Sequence, residues 1–135
     1  MKTSKQVKLP PGWRMTNLDD KTLVSVIMGQ SPPGETYNKN KIGLPFYQGK
    51  ADFGNIRPVP SVWCSSPKKI AECGDILLSV RAPVGPTNIA TEKCCVGRGL
   101  AAIRCKDGLS HKYLIWVLRH FERIISSGGV GSTFS

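Results

Sequence analysis

Apolar residues along this chain come in short runs that stop at glycine or proline, the pattern of buried strands joined by tight turns. The plainest run is Ile76 to Arg81, which is followed by Pro83, Gly85 and Pro86 before Thr87 to Ala90 returns. Leu100 to Arg104 predicts a further strand. Upstream, the β-branched Thr22, Val24, Val26 and Ile27 predict a strand over Lys21 to Met28, and the segment GQSPPG at 29–34 reads as the loop that ends it. Leu44 to Tyr47 reads as a short buried strand with a polar exit at Gln48 and Gly49, and Trp63 and Cys64 begin a short extended segment.

Two regions depart from this β pattern. Residues 7–18 (VKLPPGWRMTNL) form an extended lead-in, since Pro10, Pro11 and Gly12 block a helix while Trp13 and Leu18 offer anchors. Near the other end, Leu114, Val117, Leu118, Phe121, Ile124 and Ile125 recur at helical spacing. Ser110 stands where an N-cap belongs, and Gly128 and Gly129 stand where a helix closes. One helix from His111 to about Ser127 follows. The fold class expected is therefore mixed α/β, a single domain with a curved, antiparallel or mixed sheet and one main C-terminal helix.

Charge narrows the chemistry. Nineteen Lys and Arg against nine Asp and Glu give a formal charge of +10 over 135 residues, spread along the chain and not gathered in a tail. A folded basic surface follows, and a polyanion is its natural partner, with nucleic acid first. Five cysteines, an odd number, and a polar start at Met1 to Lys8 point to the cytoplasm. Cys94 and Cys95 are adjacent, lack the paired spacing of a zinc site and would point to opposite faces of a strand, so they read as small core residues and no metal is expected. No apolar run approaches the ~20 residues of a membrane span.

Catalytic patterns are incomplete. Ser31-Pro32-Pro33-Gly34 is similar to the S-P-P-aromatic motif of amino-methyltransferases, but Gly34 stands where a stacking aromatic is needed. Gly97-Arg98-Gly99-Leu100-Ala101-Ala102 fits G-x-G-x-x-A, yet the residues after it alternate like a strand; a phosphate cradle requires a helix there, so the glycines read as a sharp turn or a close backbone approach. His111 and His120 have no carboxylate at useful spacing, and His120 reads as part of a solvated face with Arg119 and Arg123.

What repeats is polar chemistry at loop tips: Gln30 and Ser31, Gln48 and Lys50, Arg81, Arg98, and Ser132 with Thr133. Glutamine matches adenine and arginine matches guanine in bidentate pairs, while lysines and hydroxyls suit phosphates. Gln30, Gln48 and Arg81 are the candidates for base edges. Lys50, Arg98, Ser132 and Thr133 are candidates for phosphate contact or loop support.

These segments resemble the target recognition domain of the specificity subunit of type I restriction-modification enzymes. The resemblance runs through LPPGW at 9–13, GQSPPG at 29–34, IGLPFYQGKADFG at 42–54, PKKIAECGDILLSVRAPVGPTNIA at 67–90, VGRGLAAI at 96–103 and GSTF at 131–134. It implies a non-catalytic α/β domain that reads one half of a bipartite duplex DNA target through loops in the major groove. Methyltransferase subunits, which carry S-adenosylmethionine, and restriction subunits, which use ATP, would be the partners, and the chain itself would need no cofactor. The sequence stops at GSTFS, where such a subunit would continue toward a spacer helix, so a domain over 1–135 truncated before that helix is expected. Two rivals are a fragment that docks methyltransferase subunits through the Tyr113 to Ile125 helix, and a small DNA-modifying enzyme.

Overall fold

Side-chain alternation along Ile76–Ser79 divides the interior into layers. Ile76 and Leu78 pack with Val24, Ile103, Leu114, Ile115 and Leu118, whereas Leu77 packs with Tyr47, Ala71, Ala90, Cys94, Val96, Leu100 and Ala102. The strand thus has a helix on one side and a second sheet on the other, which is why it is apolar at every position from 76 to 78. A third, smaller cluster of Phe46, Cys64 and Cys95 covers the far face of the second sheet.

The computed structural model describes residues 23–106 and 108–122. Among the described residues there are nine strands and one α-helix: β1 (Val24–Met28), β2 (Tyr37–Asn38), β3 (Leu44–Tyr47), β4 (Trp63–Cys64), β5 (Ile70–Ala71), β6 (Ile76–Ser79), β7 (Thr87–Ile89), β8 (Cys94–Val96), β9 (Leu100–Cys105) and α1 (His111–His120). They form two sheets where the sequence suggested one. The first has the order β1-β9-β6-β7 and is antiparallel throughout. The second has the order β2-β4-β3-β8-β5, with β3 and β8 parallel and the other pairs antiparallel. The mixed α/β class stands. The division into two sheets arises because β8 ends in the second sheet and the chain crosses through residues 97–99 to start β9 in the first.

Several boundaries are shorter than the apolar runs suggest. β6 stops at Ser79, so Val80 and Arg81 belong to the loop that follows. β1 begins at Val24, and Lys21 and Thr22 lie outside the described residues, as do residues 7–18, the helix positions beyond Glu122 and the glycines at 128 and 129. Ser110 caps α1 as expected, its hydroxyl accepting from the backbone N–H groups of Lys112 at 3.2 Å and Tyr113 at 3.3 Å. The buried face of α1 is Leu114, Ile115 and Leu118, with Phe121 45% exposed. Phe121 lies just past the helix at its C-cap, and its ring meets His120 edge-on instead of entering the core.

One ion pair fixes the start of β6. Asp75 is 3% exposed; its Oδ1 accepts from Arg104 Nε at 3.0 Å, and its Oδ2 accepts from Arg104 Nη2 and from the Glu72 N–H, both at 2.8 Å. These hydrogen bonds push the Arg104 guanidinium further toward its charged form. Removing the carboxylate leaves a donor array without its acceptor. Asp75→Ala should cost about 2–3 kcal/mol in a urea titration, less than a fully buried pair because water partly screens Arg104; a loss under about 0.5 kcal/mol, the level of an ordinary surface change, would contradict this account.

Candidate nucleic-acid interface

The strand directions bring several loops to one end of the molecule. β1 and β6 end where β9 begins, since Met28 pairs with Ala101 and Ser79 with Leu100. β3 and β8 run parallel and so end together, Tyr47 pairing with Val96. The turn at residues 97–99 sits where these strand ends meet. The other loops are hydrogen-bonded to it or to its flanks: Gly29 N–H to the Leu100 carbonyl at 2.9 Å, Gln30 N–H to the Val96 carbonyl at 3.0 Å, Gly97 N–H to the Tyr47 carbonyl at 2.8 Å and Val80 N–H to the Gly99 carbonyl at 3.0 Å.

Glycine makes this convergence possible. A Cβ on Gly99 would lie 2.2 Å from the Gln48 carbonyl oxygen, and one on Gly29 would lie 1.9 Å from the Gly97 carbonyl oxygen. On Gly97 a Cβ would come within 3.0 Å of both the Phe46 ring and the Ser31 hydroxyl. The G-x-G pattern is therefore a device for close backbone approach, and the chain continues as strand β9 where a phosphate cradle would need a helix.

The candidate side chains divide clearly. Gln30, Gln48, Lys50, Arg81 and Arg98 are exposed, and each belongs to a loop that touches the 97–99 turn. Ser31 is half-buried; its hydroxyl accepts from the Arg98 N–H at 3.2 Å and so also braces the turn. Ser132 and Thr133 lie outside the described residues. Among the described residues no carboxylate pairs with Arg81 or Arg98. Two other arginines are engaged: Arg104 by Asp75, and Arg119 by the Thr87 hydroxyl and the carbonyls of Thr87 and Asn55. Arg119 is thus a half-buried clamp and not the solvated cation that its place beside His120 suggests. The sequence gives no local sign of this because its partners lie 32 and 64 positions away.

Each loop has its own internal support. Buried Ser79 directs its hydroxyl at the carbonyls of Pro83 (2.7 Å) and Arg81 (3.1 Å), and its backbone bonds Gly85 and Pro86, closing residues 79–86. Buried Asn88 binds both backbone groups of Gly54, tying the long excursion after β3 to β7. Within that excursion the Asp52 carboxylate accepts from the Gln48 N–H at 2.8 Å. Lys50, Phe53, Asn55, Pro86, Thr87 and Arg119 line a cleft of about 340 Å³ between this excursion and the 79–86 loop. Asp52, Ser79 and Asn88 went unnoticed in the sequence because single polar residues in loops and strands carry no spacing that marks them as braces.

In Ser31-Pro32-Pro33-Gly34 the Ser31 hydroxyl is committed to the turn and the Pro32 carbonyl accepts from the Tyr37 hydroxyl at 3.0 Å. Cys64, Cys94 and Cys95 are core residues, whereas Cys73 is exposed. Burial, then the neighbouring Cys95, pushes the Cys94 thiol up to about 12. Burial, followed by nearby Cys94, likewise pushes the Tyr47 hydroxyl upward, so both stay neutral between the sheets. Among the described residues no three His, Cys, Asp or Glu side chains gather as metal ligands, and no helix is long and apolar enough to cross a membrane.

Comparison with known proteins gives a consistent relationship. No family model matches the chain. It is 42% identical over 134 residues to the Methanocaldococcus jannaschii protein named "Putative type I restriction enzyme MjaX specificity subunit", a match covering 98% of this chain and 32% of that protein. It is 52% identical to the HsdS subunit from Thermoanaerobacter tengcongensis, with a TM-score of 0.84 over 90% of this chain and 31% of that one. A chain solved in work on complex assembly and conformational transition of the type I R-M system is 51% identical, with a TM-score of 0.85 over 93% of this chain and 32% of that one. The M. genitalium type I S subunit shares the fold at 16% identity and a TM-score of 0.62. The resemblance to specificity subunits read from the sequence is borne out, and the chain spans about a third of the length of the relatives it matches.

A direct test of the turn follows. Gly99→Ala must displace the Gln48 backbone and should lower stability by about 1–3 kcal/mol, the usual cost of overpacking a tight contact; an unchanged denaturation midpoint would show that the two loops do not depend on that approach.

Proposed function

We propose that the chain binds duplex DNA sequence-specifically and reads one half of a bipartite target within a type I restriction-modification complex. The observation that carries this reading is the gathering of Gln30, Gln48, Lys50, Arg81 and Arg98 around one glycine-built turn, with their side chains exposed and their loops braced from behind. In a protein of charge +10, arginines kept clear of carboxylates at the ends of a rigid double sheet are groups held ready for an external anion. The specificity subunits that it matches support assigning that anion to DNA.

The division of labour follows from donor geometry. Arg81 presents a planar fork suited to the O6 and N7 acceptors of guanine, and the Gln30 and Gln48 amides suit the N6 and N7 of adenine. Lys50 and Arg98 neutralise phosphates and set the register in which those edges are met. Ser31 acts mainly by holding the Arg98 turn. In this reading the chain does no bond chemistry. Methylation and cleavage fall to methyltransferase and restriction subunits, a partnership supported by the type I assembly to which one structural neighbour belongs.

Selection of bound duplexes from a randomised pool at fixed salt tests the reading, with a defined short consensus as the expected result and indiscriminate binding as the one that would overturn it. On the selected duplex, Arg81→Ala should cost about 1–3 kcal/mol and relax one base preference; equal losses on every sequence would move Arg81 to the phosphate group. Lys50→Ala should lower the slope of log K against log salt by about one unit, and an unaltered slope would remove Lys50 from the interface.

A further inference from the structure

Asp52 is a carboxylate in the very excursion that presents Gln48 and Lys50, close in the chain to two of the candidate contacts. A negative charge this near the candidate contacts works against binding a polyphosphate, so its value has to lie elsewhere. Its geometry shows where. The Asp52 Oδ2 accepts the Gln48 N–H at 2.8 Å, the Asp52 N–H bonds the Gly49 carbonyl at 3.0 Å, and the Asp52 carbonyl accepts from the Val59 N–H at 2.9 Å. The residue closes the loop on itself, through both backbone and side chain, between the point where the Gln48 carbonyl abuts Gly99 and the point where Asn88 holds Gly54.

Resting on the DNA-reading proposal above, we infer that Asp52 is a positioning residue for sequence discrimination: its carboxylate fixes the backbone from which the Gln48 amide reaches a base edge, at the expense of a like-charge interaction with the phosphates. The backbone N–H of Gln48 is held by this carboxylate, and the side chain leaving the same residue takes its direction from that constraint. A glutamine amide that pairs bidentately must approach in one orientation, so freedom at its backbone spreads it over orientations that satisfy one hydrogen bond or none. Overall attraction to DNA comes from dispersed charge and does not need this bond. Discrimination and affinity therefore respond to Asp52 in opposite directions.

Two substitutions in the full chain separate the effects. Asp52→Asn removes the charge and keeps a carbonyl acceptor in place; Asp52→Ala removes both. Binding would be measured to the pool-selected duplex and to a scrambled duplex of equal length. Both variants should bind the scrambled duplex more tightly than wild type, by similar factors, because each loses the same charge. Asp52→Ala should lose preference for the selected duplex by tenfold or more, with Asp52→Asn losing clearly less, about threefold at most, because its neutral carbonyl still accepts the N–H, though more weakly than a carboxylate. Native hydrogen exchange should show the Gln48 amide protected in wild type and Asp52→Asn and unprotected in Asp52→Ala. Retained preference in Asp52→Ala, or an equal loss in both variants, would overturn the inference. If Asp52→Ala fails to fold, Asp52→Glu carries the same test, since it keeps the charge and displaces the acceptor: preference should fall while scrambled-duplex affinity holds, and unchanged preference would overturn the inference. A wild-type chain with no duplex preference would instead overturn the DNA-reading proposal itself.

Discussion

The backbone of Gly99 lies so close to the Gln48 carbonyl that no side chain fits between them, and the same holds for Gly29 against Gly97. These contacts are made by main chain alone. They bring loops from two different sheets within hydrogen-bonding reach of one turn, at the place where the chain steps from β8 to β9. A methyl group at either position would wedge the loops apart, and the candidate interface would become several unrelated surface tips.

The treatment of charge is as selective as the packing. Asp75 and Arg104 neutralise one another beside the core, and Arg119 is held by neutral oxygens between α1, β7 and the excursion after β3. Arg81 and Arg98 receive no such partner among the described residues. Residues of one type thus hold the scaffold together in two places and remain available at the candidate interface, and local composition does not distinguish the cases. The difference lies in whether the tertiary fold brings an acceptor to the guanidinium.

Strand β6, strand β9 and the capped start of α1 were legible in the sequence because each writes its environment locally: continuous apolar positions between two layers, an apolar run ended at Arg104, and a serine before a helical period. The second sheet was much less so. Its pieces at Tyr37–Asn38, Ile70–Ala71 and Cys94–Val96 span two or three residues and show no period, and they become strands only through partners distant in the chain. The candidate tips could be named from turn residues and side-chain chemistry, but their meeting point depends on parallel pairing of β3 with β8 and on glycine contacts more than fifty positions apart, such as Gly29 with Gly97. The helix shows the limit from another side. Spacing selected Phe121 for the core, whereas Ile115 lies there and Phe121 has already passed the end of α1.

The Ser79 clasp has a consequence for how such a surface can change. Because the hydroxyl of a core residue grips the main-chain carbonyls of Arg81 and Pro83, the path of that loop is set without recourse to the side chain displayed at its tip. Replacing the displayed group alters what is offered to solvent while the restraint behind it persists. Divergence at the tip is therefore decoupled from the integrity of the scaffold, and new preferences can be acquired by single replacements without first reinventing the loop.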